Sequence, residues 1–153
     1  HTRTPIVLPE RVNNALIAWL TQSRLQIVIV LHANHAQELD DGVKAACKRL
    51  ADAGATLLNQ SVLLRGVNDN AQVLSDLSIR LFNLGILPYY LHLLDKVEGA
   101  AHFDVPESTA RLLWQDMAKS LPGYLVPKLA REQPGAHSKT LLGFGEPQDD
   151  DEY

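Results

Sequence analysis

The reading of the fold starts from QIVIVLHANH at residues 26–35. QIVIVL is short, continuous and rich in β-branched residues, as a strand covered on both faces should be. The apolar run then stops at once in a polar segment containing His32, Asn34 and His35. In parallel α/β folds such a stop marks the C-terminal end of a strand, where loops gather and sites are built.

The same grammar repeats on both sides. Upstream, residues 1–8 read as the remnant of a strand, and Pro9 suits a helix start because its missing N–H costs little there. Residues 10–21 have helical spacing, with Val12, Leu16, Trp19 and Leu20 predicted on one face. Downstream, a helix is predicted over 38–53, stopped by Gly54, then a strand over 56–64. A third helix over 70–84 ends at Gly85 and leads into a strand over 86–94. A fourth helix starts at Pro106 or Glu107 and runs to Lys119, and residues 124–129 suggest one more short extended piece. Alternating strands and helices predict βα units on a parallel sheet, with helices outside. A barrel-like sheet or a flat doubly wound sheet would both fit. No GxGxxG opens a helix, which weakens a dinucleotide-binding reading.

Composition narrows the class. The chain has 153 residues, 46% of them hydrophobic and 21% charged, which is ordinary for a globular domain. The formal net charge of −4 gives no bulk reason to bind nucleic acid. No apolar stretch is long enough to span a membrane and no signal peptide is visible, and a cytoplasmic location is expected. A single cysteine, Cys47, leaves no disulfide framework and no multi-cysteine metal site, and its helical context predicts a buried thiol. Residues 1–145 are expected to form one domain portion, and the acidic residues 146–153 a disordered tail. The opening HTRTPIVLP, with neither a starting methionine nor a helix signal, suggests a piece of a longer chain.

Polar residues that interrupt the apolar pattern are the candidate site. His32 and His35 could be structural, contact a cofactor or bind metal, although no further ligands cluster with them. Asn59, Gln60 and Ser61 break a core strand, and buried amides without partners cost about 1–3 kcal/mol each. Together they predict a cavity lining, with an internal hydrogen-bond network as the alternative. Residues 66–69 (GVND) read as a turn leading into a helix cap. Asp95, just past a strand that carries Tyr89, Tyr90 and His92, could hold a cation or a substrate ammonium, or cap a turn. Lys139 follows a Pro134-Gly135 turn. A lone loop lysine is ordinarily solvated, and one that attacks an aldehyde must be neutral, in a desolvated or cationic setting.

Taken in order, HTRTPIVLPERV, LHANH, TLLNQSVLLRGVND, LPYYLHLLDKVEGAAHF, GYLVPKLARE and SKT resemble the lysine 2,3-aminomutase family of radical S-adenosylmethionine enzymes, over its C-terminal half. The resemblance implies the C-terminal part of a partial (β/α) barrel with parallel strands. It implies three cofactors: pyridoxal phosphate, S-adenosylmethionine and a [4Fe–4S] cluster. Lys139 matches the lysine that carries pyridoxal phosphate, and is the catalytic residue so implied. Asp95 and Glu132 match carboxylates that grip the side-chain ammonium of substrate lysine, Glu132 standing where lysine-degrading members have aspartate. His32 and Gln60 match residues lining the S-adenosylmethionine site. The implied reaction moves nitrogen from the α to the β carbon of lysine by radical chemistry, with lysine as the small-molecule partner.

Departures refine this. The three cluster cysteines and the basic residues that hold the cofactor phosphate are absent, so the N-terminal half of the same enzyme is an expected partner and this chain alone is expected to be inactive. Asn70 stands where lysine-degrading members have a zinc-binding cysteine, so no metal ligand is expected here and the likeness lies with the branch that makes (R)-β-lysine for elongation factor P. Open sheet edges put a homo-oligomer among the expected partners. Two alternatives stand beside this: a ligand-binding relative without radical chemistry, and a non-radical pyridoxal phosphate enzyme.

Overall fold

The computed structural model describes residues 1–94, 101–133 and 135–143. Five strands form one sheet in the order β1 (Val28–Leu31), β2 (Thr56–Leu63), β3 (Ile86–Leu93), β4 (Lys128–Arg131) and β5 (Thr140–Leu141). The first four pair in parallel and β5 runs antiparallel to β4. Helices α3 (Asp41–Asp52), α4 (Ala71–Asn83) and α5 (Glu107–Ser120) join successive parallel strands, as the alternation predicts.

Local chemistry sets the boundaries. Asp40 accepts a hydrogen bond from Val43 N at 2.9 Å and starts α3, so that helix begins later than residue 38. Residues Ala36–Glu38 form a 3₁₀ turn instead. Asn70 caps α4 by accepting from Gln72 N and Val73 N. Gly54 (φ 98°) and Gly85 (φ 77°) turn the chain out of α3 and α4 in a left-handed conformation that favours glycine.

The N-terminal reading needs correction. Residues 1–8 are not a strand: Thr2 alone bridges Leu31, and Thr4–Val7 is a short helix, α1. The helix expected over 10–21 is broken at Val12 (ψ 74°), after the 3₁₀ turn Pro9–Arg11. It restarts as α2 (Asn14–Gln22), where Asn13 accepts from Leu16 N at 3.0 Å. Val12 therefore belongs to the turn, and Trp19 is 66% exposed rather than sharing the buried face of Leu20.

The core lies on the helix side of the sheet. One cluster joins Leu31, Leu57 and Ile86 to Val43, Cys47 and Leu50 of α3 and to Leu77 and Leu81 of α4. A second joins Leu63, Leu91, Leu93 and Leu129 to Ala110 and Met117 of α5. Each fully buried leucine contributes about 1.5–3 kcal/mol. Among the described residues no helix is long and apolar enough to cross a membrane.

Candidate functional site

Side chains alternate along β2, so Leu57, Asn59, Ser61 and Leu63 are buried towards the helices while Gln60 and Val62 point to the other face. The ladder continues that second face across the sheet. Gln60 lies opposite Tyr90 and Tyr90 opposite Lys128; Val62 lies opposite His92 and His92 opposite Ala130. Between Pro88 and Tyr90 the β2–β3 register shifts, leaving Tyr89 as an extra residue. Pro88 has no N–H to give the ladder, so the irregularity falls where pairing is already weakened. Such bulges re-aim side chains, and the rings of Tyr89 and Tyr90 stand 4.2 Å apart.

This face holds a cleft of about 170 Å³ lined by Gln60, Val62, His92, Leu93, Leu94 and Glu132. Gln60 Oε1 is buried there without a hydrogen-bond partner. Burial without a partner costs about 1–3 kcal/mol, so this oxygen suits a ligand donor. Lys139 reaches back from the start of β5 and pairs through Nζ with Glu132 Oε1. Its ammonium is also 5.6 Å from the Tyr90 ring centroid, and Lys128 Nζ is 5.8 Å from the same centroid. The structure thus brings Gln60, His92 and Glu132 to one cleft, with Lys139 paired to Glu132 at its edge and standing, like Lys128, near the Tyr90 ring. Asp95 lies outside the described residues, as do 146–153.

β5 was not anticipated from sequence, and it is what fixes Lys139. Leu142 N donates to Leu129 O at 2.8 Å, and the Leu142 side chain is buried against α5's core. Arg111 donates through Nη1 to Gly143 O at 2.6 Å and through Nε to Glu107 at 2.8 Å. Glu107 also pairs with Arg131 of β4 at 3.3 Å. A two-residue strand following a Pro-Gly turn has too little periodicity to announce itself in sequence.

Asn59, Ser61, Asn68 and His35 have structural partners. Asn59 and Ser61 do not line a cavity. Asn59 Oδ1 accepts from Ala33 N at 2.9 Å and its Nδ2 donates to Ala33 O at 3.0 Å. Ser61 Oγ donates to Ala33 O at 2.8 Å. This is the internal-network alternative, and it pins the loop after β1 to β2. Only Gln60, on the opposite face, faces a cleft. Asn68 extends the network, accepting from Leu64 N and donating to Asn34 O and Val62 O. His35 Nδ1 accepts from Gln37 N as the cap of a 3₁₀ turn, and Glu38 closes the capping box. His32 sits just past β1, its Nε2 3.3 Å from His1 Nδ1. Its pKa is lowered by burial first, and the charge of Arg3 acts in the same direction. Among the described residues no three His, Cys, Asp or Glu side chains come together to hold a metal.

Two titrations follow. The hydrogen bond and charge of Lys139 hold the Glu132 carboxyl below its ordinary value of 4.5. A depressed carboxylate stabilises the fold above its unfolded pKa and loses that contribution as pH falls through the folded value. The Glu132 carboxyl carbon, followed by NMR, should therefore titrate below 4.5, and Lys139→Ala should return it towards that value. Burial pushes the Cys47 thiol up to about 11. Cys47 is fully covered in the core, so a thiol reagent should label it only as the protein unfolds. Labelling of the native protein at a rate independent of denaturant would contradict this.

Comparison with known proteins fits this architecture. No family model matches. The chain is 54% identical over 142 residues to L-lysine 2,3-aminomutase of Escherichia coli (strain K12), covering 93% of this chain and 42% of that protein. It is 51% identical to the Haemophilus influenzae enzyme of the same name (92% and 42%) and 37% identical to that of Clostridium subterminale (91% and 33%). Among solved structures, a radical SAM methyltransferase from Sphaerobacter thermophilus aligns with a TM-score of 0.55 at 17% identity, over 76% of this chain and 37% of that one. That likeness concerns fold alone, an α/β arrangement with a mostly parallel sheet. The chain is thus similar, over nearly its whole length, to proteins named L-lysine 2,3-aminomutase, and it spans 42% of the length of the E. coli and H. influenzae relatives.

Proposed function

We propose that this chain is the C-terminal portion of the catalytic domain of an enzyme converting (S)-α-lysine to (R)-β-lysine, with the product used to modify elongation factor P. The observation that carries the reading is the meeting of Lys139 and Glu132 at the edge of one cleft on the sheet face away from the helices. Sequence similarity to enzymes named L-lysine 2,3-aminomutase supports the reaction. The elongation factor role rests on the resemblance of the motifs, Asn70 among them.

The residues present fit two of the three expected cofactors. Lys139 offers an amine beside the rings of Tyr90 and His92, whose centroids are 5.4 Å apart, a setting suited to a flat aromatic aldehyde. Pyridoxal phosphate, when bound, supplies that aldehyde and an electron-accepting ring. His32, just past β1, and Gln60, on the neighbouring strand β2, are the residues for S-adenosylmethionine, and the unpartnered Gln60 Oε1 accepts a ligand N–H or O–H. The cluster does not fit: Cys47 is the one cysteine of this sequence, and it is buried with a raised pKa. A cluster ligand is an accessible thiolate.

In this proposal Glu132 accepts charge-assisted hydrogen bonds from the side-chain ammonium of lysine, with Asp95 as its second carboxylate. His92 and Leu94 wall the cleft and help to exclude water from it. The test is an anaerobic assay of the complete protein with lysine, S-adenosylmethionine and pyridoxal phosphate. β-Lysine should appear, and this chain by itself should give none. A complete, reconstituted protein that leaves lysine unchanged overturns the reading.

A further inference from the structure

The Glu132 carboxylate is paired with an ammonium that the chain itself supplies. Lys139 Nζ occupies Glu132 Oε1, and the same cleft presents a second acceptor, the unpartnered Gln60 Oε1. A carboxylate at the edge of a cleft selects a cationic donor. Lys139 is thus the resting occupant of a place that suits any ammonium group. It cannot be this and a nucleophile together. Condensation of a lysine with an aldehyde needs the neutral amine: the ammonium proton goes to solvent, the nitrogen adds to the carbonyl carbon, a C=N bond forms and one water leaves. Glu132 stabilises the protonated form and so opposes that step.

We propose that Glu132 couples cofactor loading to ammonium binding: a ligand ammonium that takes Glu132 releases Lys139 for the aldehyde, and an aldehyde that takes Lys139 frees Glu132 for the ammonium. The two ligands then favour each other through one carboxylate, and the coupling is reciprocal because it is an equilibrium property. Geometry supports the exchange. The Glu132 side chain is 57% exposed against 26% for Lys139, so the carboxylate is free to swing away from the better-covered amine. The backbone of Lys139 is meanwhile held by β5 and by Arg111 on Gly143 O, so its amine stays beside Tyr90 after parting. This inference rests on the functional reading above, since it takes Lys139 as the residue that holds the aldehyde.

The test uses the complete protein without S-adenosylmethionine, so that no turnover occurs. The probe is 6-(dimethylamino)hexanoate, a tertiary amine that is protonated at neutral pH but cannot form a C=N bond with an aldehyde. Pyridoxal phosphate is titrated with and without the probe, read by absorbance and by borohydride fixation on Lys139. In the unaltered protein the probe should tighten pyridoxal phosphate binding by roughly threefold to fivefold, the most an exposed ion pair is expected to couple. Glu132→Gln should bind pyridoxal phosphate more tightly by a similar factor and show no probe effect. Glu132→Asp keeps the charge and should retain the effect, which separates a charge role from a structural one. Fixation on Lys139 that neither the probe nor Glu132→Gln alters overturns the coupling and leaves the functional reading standing. No fixation on Lys139 under any condition overturns both.

Discussion

In the complete protein, Lys139→Ala should reduce the pyridoxyl label fixed by borohydride to background, while Lys128→Ala should leave it on residue 139. The pair of variants is needed because two ammonium groups approach Tyr90 at nearly equal range, 5.6 Å for Lys139 and 5.8 Å for Lys128. Proximity to the ring does not choose between them; anchoring and surroundings do. Lys128 is exposed on β4. Lys139 precedes a strand tied to Leu129 O by backbone and to Arg111 by Gly143 O, and its side chain is largely covered. A covalent link to a cofactor requires a fixed trajectory, which a tethered amine provides and a solvated one does not. Peptide mapping of the labelled protein decides the matter. A pyridoxyl group recovered on Lys128, or one persisting in Lys139→Ala, would refute the assignment.

Asn68→Ala should cost roughly 3 kcal/mol or more, since each buried polar group left without a partner costs about 1–3 kcal/mol. Asn68 is 1% exposed. Its amide holds Leu64 N at 2.8 Å, Asn34 O at 2.8 Å and Val62 O at 2.9 Å, so one truncation orphans three backbone groups. Asn34 in turn accepts from Asn68 Nδ2 on its main-chain oxygen and from Val62 N, at 2.9 Å, on its Oδ1. The loop after β1 and the end of β2 should therefore loosen together, His32 with them. Asn68→Asp keeps an acceptor for Leu64 N but loses both donors, and should fall between. Denaturant unfolding of the complete protein measures this; a shift in Asn68→Ala below about 1 kcal/mol would show that water replaces the amide.

The sequence reading succeeded where one residue type carries one local physical demand. Asn70 caps α4, and Gly54 and Gly85 end helices, because caps and left-handed turns depend on near neighbours alone. The strands at 28–31, 56–63 and 86–93 were legible for the same reason: β-branched and apolar runs bounded by turn residues. What failed depended on distant partners. Asn59 and Ser61 look identical to cavity-lining residues until Ala33, from the preceding strand's loop, arrives to bond with them. Trp19 has helical spacing from Leu16 and Val12, yet the Asn13 cap starts a new helix after Val12 and turns the indole to solvent. Glu132 and Lys139 were placed by resemblance. That they form an ion pair depends on β5, which spacing alone does not reveal.

The extra residue in β3 has a consequence for how this cleft can vary. Pro88 still meets Asn59 and Tyr90 still meets Gln60, so Tyr89 adds a ring without changing which residues on either side of it face the helices. Loss or gain of a single codon at this point would remodel the aromatic wall and leave the hydrophobic interior in frame. Elsewhere along the strand the same edit would turn the downstream core outward, so this is the one spot in β3 where length itself is free to diverge.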